Sequence, residues 1–285
     1  MKRYPFGAYI LDIPDDHKIS QIHQVDTLYD RGFGFILKAI HTAVPDGVFI
    51  DIGANVGDTA ATFLTHCYGN PILCIEGSDV FYPYLKANHR FLGPSVTIVN
   101  KFLRPTVFGS TPLQYQEEAG TGYLSVKDGT KPAVAVTQFI SFDELLSLSA
   151  NLSSSIALFK TDTDGLDGYI VLEALDRIDC PLFFECDPNL VLPELDSPWP
   201  KSFDELERRG YSVLVFDNHG LPMLVLENVR ANILTDLTGY ASLQRAIQPI
   251  RTHYFDIWAF PPNWHDCFEE AAKLLRGDLL KPYRF

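Results

Sequence analysis

The run Val48-Phe-Ile-Asp51-Ile-Gly53-Ala-Asn55-Val-Gly57 ends an apolar segment on a carboxylate and follows it with two glycines four residues apart. Glycine at such a turn lets the backbone bend without a Cβ clash and lets a ligand approach closely. In an open α/β sheet, ligands bind at the carboxyl end of the first strand. Nineteen residues past Gly57, the apolar Ile72-Leu-Cys-Ile75 delivers a second acid, Glu76. An acid at the end of a second strand is placed to accept both hydroxyls of a ribose. Asp51 repels a pyrophosphate but attracts a cationic amino-acid group. Together the two acids describe a pocket for S-adenosylmethionine, whose sulfonium and ammonium are positive and whose ribose carries a diol. The G-x-x-x-G spacing does not match the dinucleotide fingerprint G-x-G-x-x-G, and no phosphate-loop lysine follows.

A second group of acids lies further along, in Thr161-Asp162-Thr-Asp164-Gly165 and in Phe183-Phe-Glu185-Cys-Asp187-Pro. Each pair follows an apolar strand, and neighbouring strand ends can bring all four into one cleft. Methyl transfer to a hydroxyl needs alignment first and then removal of a proton. Asp162, Asp164 and Glu185 are the catalytic candidates, with Asp162 or Glu185 as the foremost general base. Two or three of the acids can instead hold Mg²⁺, which suits oxygen ligands. A third reading has Asp162 and Asp164 only capping the helix that opens at Leu166. Lys160, enclosed by apolar strand residues, is expected to pair with a nearby acid. His219 reads as a solvated turn residue, and His265 as a packing or capping one.

These residues need elements to hold them. Apolar spacing predicts strands at 48–52, 72–75, 96–99, 156–160, 181–184, 211–216, 223–226 and 254–260. Helices are predicted at 58–67, 80–91, 141–148, 166–175, 203–209 and 264–276, the one at 141 opening with a Ser-x-x-Glu capping box. Residues 1–20 read as an irregular arm, and 22–44 as a helix interrupted near Gly32 and Gly34. Residues 103–135 read as loops or a β-excursion. The alternation implies a doubly wound, mostly parallel α/β sheet of seven strands, with an antiparallel edge hairpin at Asp217-Asn-His-Gly220 and an N-terminal helical appendage. The expected division is 1–45 as a helical arm or lid and 46–285 as the catalytic domain. Tyr29 and Phe33 of the arm, with Tyr115 and Tyr123 of the excursion, are candidates for a lid over the acceptor.

The strings Asp51-Ile-Gly-Ala-Asn-Val-Gly57, Ile75-Glu-Gly77 and Phe159-Lys-Thr-Asp162-Thr-Asp-Gly165 resemble the FkbM-type methyltransferases. These are class I S-adenosylmethionine-dependent enzymes that methylate hydroxyl oxygens of sugars, polyketides and other small molecules. The resemblance covers residues 48 to 187, with weaker echoes to 260. It implies cofactor contacts from Asp51, Gly53, Ala54, Asn55 and Gly57, from Glu76, Gly77 and Ser78, and from Phe102 and Leu103 in the stretch that lines the adenine. Two departures stand out. Glu76-Gly77 replaces the family's Glu-Pro, and Asp164 and Asp167 replace two glutamates.

Composition narrows the field of partners. A formal charge of −13 leaves no broad basic surface for duplex nucleic acid or anionic lipid. Five cysteines without CxxC spacing read as buried thiols, and no apolar run is long enough to span a membrane. A cytoplasmic O-methyltransferase acting on a sugar or glycan precursor is the expectation. A non-catalytic module that keeps the cofactor pocket is the alternative, and a nicotinamide-dependent dehydrogenase a more distant one.

Overall fold

The computed structural model describes residues 1–25, 31–118, 121–126, 134–136, 138–190, 196–247 and 252–279. The chain opens with strands β1 (Lys2–Phe6) and β2 (Tyr9–Ile13), then helices α1 (Ile19–Val25) and α2 (Arg31–Ala43). There follow β3 (Val48–Ile52), α3 (Asp58–His66), β4 (Ile72–Ile75), α4 (Tyr82–Leu92) and β5 (Val96–Val99). The excursion holds β6 (Phe102–Leu103), β7 (Leu113–Glu118), β8 (Thr121–Val126), β9 (Val134–Ala135) and β10 (Phe139–Ile140). The second half runs α5 (Phe142–Ala150), β11 (Ile156–Thr161), α6 (Asp167–Arg177), β12 (Leu182–Cys186), α7 (Trp199–Arg208), β13 (Ser212–Asp217) and β14 (Pro222–Leu226). It closes with α8 (Ala231–Ile247), β15 (Phe255–Phe260) and α9 (His265–Leu274).

The central sheet has the order β14-β13-β15-β12-β11-β3-β4-β5. The five strands from β12 to β5 are mutually parallel, and β15 runs antiparallel to both β12 and β13. β3, β4 and β13 are buried at every residue, as strands covered on both faces must be. One core lies between the sheet and α5, α6, α7 and α8, the other between the sheet and α2, α3, α4 and α9. From β3 the chain moves outward to β4 and β5, then returns to β11 on the other side. The crevice between the carboxyl ends of β3 and β11 is therefore the switch point where an open sheet binds ligands.

Three expectations are corrected. The central sheet has eight strands, not seven: every one of the eight apolar segments joins it, including the expected β13–β14 hairpin, whose turn is closed by the Asp217 carboxylate accepting the N–H groups of His219 and Leu221. The N-terminal arm is not only helical, since β1 and β2 form an antiparallel hairpin. That hairpin is bolted to the body by Asn88 of α4. The Asn88 amide oxygen accepts the Asp12 N–H at 2.8 Å, and its nitrogen donates to Asp12 and Val56 carbonyls at 2.8 and 2.9 Å. Helix α8, seventeen residues long, was not expected at all. Its two threonines, its glycine and its exposed Tyr240, Leu243 and Ile247 blur the apolar stripe that reveals a helix in sequence.

Candidate active site

β3 ends in Ile52, and the chain turns through Gly53 at φ 78°. A Cβ there would lie 1.9 Å from the Asp162 carbonyl oxygen, so only glycine lets the β3 and β11 ends approach this closely. Asn55 follows at φ 48°, a left-handed conformation that Asn tolerates better than most residues. Its N–H donates to Glu76 Oε2 at 2.7 Å, and the Ser78 N–H donates to Oε1 at 2.7 Å. The Glu76 carboxylate is thus fixed at the end of β4 with one lone pair on each oxygen spoken for. Burial pushes its pKa up to about 7 against those two hydrogen bonds.

A cleft opens there. Its walls include Gly53, Asn55, Glu76, Gly77, Phe102 and Leu103, together with Asp162, Thr163 and Asp164 from beyond β11. Six of the ten expected cofactor contacts therefore meet on one surface. The other four lie behind it. Asp51 is fully buried and paired with Lys160 at 2.9 Å, so it supports the turn without lining the cleft. Ala54 donates its N–H to Ile75, Gly57 begins α3, and the Ser78 hydroxyl accepts from Val80 and Phe81 at the start of α4.

Phe102 explains one departure from the family pattern. Its ring lies against Gly77, where a Cβ would fall 2.3 Å from the ring carbons. A proline there has no room. The excursion provides a roof: β7, β8 and β9 form a small antiparallel sheet from which Tyr115, Gly122 and Leu124 reach the cleft. Tyr115 stacks at a tilt on Phe102, with ring centroids 5.3 Å apart. Of the other lid candidates, Tyr29 and the Tyr123 side chain lie outside the described residues. Phe33 does not cover the cleft; it packs edge-on against Phe183 and Trp258 at 4.6 and 4.7 Å.

The second set of acids divides by role. Asp167 is buried and accepts from the Thr161 hydroxyl at 2.7 Å and the Thr163 N–H at 3.0 Å. It shapes the 161–165 loop from within, which a longer glutamate would overshoot. Asp164 lines the cleft at φ 50°, another left-handed position suited to aspartate. Burial, then the neighbouring Asp162, Asp167 and Asp187, push its pKa up to about 8. Glu185 is raised well above the usual carboxylate range by burial and by Asp162 and Asp164. Asp162 is the more exposed partner, 3.6 Å from Lys160. Lys160 is 2 % exposed; burial disfavours its charge, but Asp51 and Asp162 outweigh that and hold it as an ammonium. Asp187 sits aside, bound by Asn189 and by Arg245 of α8. Among the described residues, no three His, Cys, Asp or Glu side chains are placed to share a metal ion.

One contributor had no signal in the sequence. His17, 6 % exposed, reaches from the segment after the hairpin to the Asn55 side chain. Its Nδ1 accepts the Ile19 N–H at 3.3 Å, which leaves the proton on Nε2 to donate to Asn55 Oδ1 at 3.3 Å. A lone histidine in a polar stretch carries no periodicity to betray that contact. His219 is partly buried in the β13–β14 turn, and the His265 ring lies 6.3 Å from Phe268.

No family model matches the sequence, and no curated protein matches it. Among solved structures, a plantazolicin methyltransferase in complex with a substrate analogue and S-adenosylhomocysteine aligns at 7 % identity, over 85 % of this chain and 88 % of that one, with a TM-score of 0.41. A putative O-methyltransferase from Klebsiella pneumoniae aligns at 12 % identity over 87 % and 91 %, with a TM-score of 0.40. The precorrin-6y C5,15-methyltransferase from Geobacter metallireducens aligns at 12 % identity over 76 % and 80 %, with a TM-score of 0.36. Such scores are too low to transfer a site or a reaction to this chain.

Proposed function

We propose that this protein transfers a methyl group from S-adenosylmethionine to a hydroxyl of a small molecule, with saccharides as the acceptor class. One observation carries the reading: Glu76 is held at the end of β4 by two backbone N–H groups, facing a cleft floored by Gly53 and Gly77. The donor set fits the cofactor. Glu76 keeps a free lone pair on each oxygen for a ribose diol, and Asp162 in the cleft wall supplies negative charge for the sulfonium and ammonium. The five thiols, all buried and unpaired, support a reducing compartment such as the cytoplasm.

Bound there, S-adenosylmethionine supplies an electrophilic methyl on sulfur, open to in-line displacement. Gly53 and the Asp51–Lys160 pair keep the turn rigid, so that reacting atoms are aligned rather than searched for. Asp164, in the cleft wall with its pKa pushed up to about 8, is the group that takes the acceptor's proton, since a base that titrates near the working pH is the effective one. Tyr115 and Leu124 of the excursion wall the same cleft.

The test is calorimetric titration of S-adenosylhomocysteine into wild type and Glu76→Ala. Wild type is expected to bind at micromolar concentration, and the variant about a hundredfold more weakly, as loss of a charged hydrogen-bond acceptor predicts. Absence of binding to folded wild type overturns the proposal.

A further inference from the structure

A groove enclosing about 330 Å³ lies at the opposite end of the central sheet from the cleft, room enough for a small ligand. Chain direction puts it there. Ile178 and Asp179 lead into β12 and Tyr211 leads into β13, while Pro261 follows the last residue of β15, which runs antiparallel to both. The amino ends of two strands and the carboxyl end of the third therefore meet over one hollow. The candidate cofactor site, in contrast, sits at the carboxyl ends of β3, β4 and β11.

The walls of the groove are held in place. Arg209, just past α7, donates from Nε to Glu205 at 3.0 Å, from Nη1 to the Leu175 carbonyl and from Nη2 to Asp176, which ties the ends of α6 and α7 together. The Asn263 amide donates to one oxygen of Asp179 at 2.9 Å, and the other oxygen has no partner among the described residues. Tyr211 is 3 % exposed, yet its hydroxyl also has no hydrogen-bond partner among the described residues. A buried tyrosine hydroxyl normally finds one. Here the groove that Tyr211 lines is where that partner must come from.

Charge selects the ligand. Asp176 and Asp179 are balanced by Arg177 and Arg209, so the wall is neutral in a chain that carries −13, and each arginine already has its own carboxylate. Neither a free anion nor a free cation gains net attraction there. What remains is a hydroxyl that donates and accepts, a fixed carboxylate oxygen that accepts, and two of the five Arg209 N–H groups. Beside them lie the apolar surfaces of Ile178, Pro261 and Pro262. An uncharged molecule that carries many hydroxyls around an apolar C–H face answers both sets of groups. We infer that this groove is a binding site for a neutral oligosaccharide, separate from the cleft. The inference does not depend on the methyl-transfer reading.

The test is an NMR titration of isotope-labelled wild type with maltotriose and with cellotriose, which differ in linkage, and with triethylene glycol, an uncharged chain without sugar rings. At least one trisaccharide is expected to bind at millimolar concentration and to shift the amide signals of Ile178, Asp179, Gly210 and Tyr211, and triethylene glycol is not. Tyr211→Phe removes only the hydroxyl and should weaken that binding about fivefold, as loss of one neutral hydrogen bond predicts, with melting temperature unchanged. Asp179→Ala should weaken it about tenfold, as loss of a charged acceptor predicts. Both variants should bind S-adenosylhomocysteine like wild type, so the cofactor reading stands or falls separately. Binding of neither trisaccharide, an equal response to triethylene glycol, or shifts confined to the cleft overturns the inference. Trisaccharide affinity that survives both substitutions does the same.

Discussion

Asp164 combines an unusual backbone with an unusual environment: φ of 50°, a position in the cleft wall, and burial that, with three acidic neighbours, pushes its pKa up to about 8. With Glu185 it forms a pair whose members cannot both ionise cheaply, so their titration belongs to the pair. The pH profile of kcat/KM for the methyl-transfer reaction should therefore rise toward an apparent pKa near 8. Asp164→Asn should lower kcat about a hundredfold or more, with S-adenosylhomocysteine affinity retained, as loss of a general base predicts. A flat profile across pH 6 to 9 would remove the carboxylate base. Gly53 offers a steric test at the same scale. A methyl at Gly53→Ala meets the Asp162 carbonyl at 1.9 Å and strains a φ of 78°, so the variant should melt at lower temperature and lose cofactor-product binding together.

The N-terminal hairpin acts on the site through two contacts. Asn88 joins Asp12 to Val56 inside the 53–57 turn, and His17 holds the Asn55 side chain while the Asn55 N–H holds Glu76. Asn88→Ala strips partners from three buried backbone groups and should cost about 2 kcal/mol in urea unfolding. His17→Gln keeps a donor for Asn55 and should leave S-adenosylhomocysteine affinity near wild type, whereas His17→Leu should weaken it severalfold. Equal affinities in the two variants would mean that the hairpin packs on the loop without tuning it. Helix α2 is a different kind of element. It was expected as part of a lid, yet Ile36, Leu37 and Ile40 are fully buried against the sheet.

For the whole molecule, the net charge of −13 conceals where the acids are. Asp167, Glu76 and Asp164 titrate near 6, 7 and 8 in the folded state, each raised first by burial. Unfolded, they titrate near 4, so between about pH 4 and 8 the native chain binds more protons than the unfolded one. Stability must then fall as pH rises through that window, by at most about 1.4 kcal/mol per pH unit for each group fully protonated in one state only. His17 works in the opposite sense. Its pKa is lowered, chiefly by burial, so stability is lost as pH falls below the ordinary histidine value. Melting temperature should peak on the acid side of neutrality and decline toward pH 8. In Asp164→Asn the decline should be shallower, and an unchanged slope would show that Asp164 ionises freely in the fold.

Local pattern determined much of this protein. The strands at 48–52, 72–75 and 96–99 are where apolar runs place them, and the Ser141–Glu144 capping box opens α5 as its spacing requires. Those features are legible because they depend on neighbours in the chain. The strings around Gly53, Glu76 and Asp164 likewise announced a cleft, since strand ends in an α/β sheet converge by rule. Only the tertiary structure sorted the acids into lining and supporting roles. Asp51 and Asp167 look like site residues in sequence but face inward, onto Lys160 and the 161–165 loop. His17 carried no local signal, because its partner Asn55 lies 38 positions away. A carboxylate's neighbours, and hence its proton, are set by sheet order and pairing, and these emerge only when the strands meet.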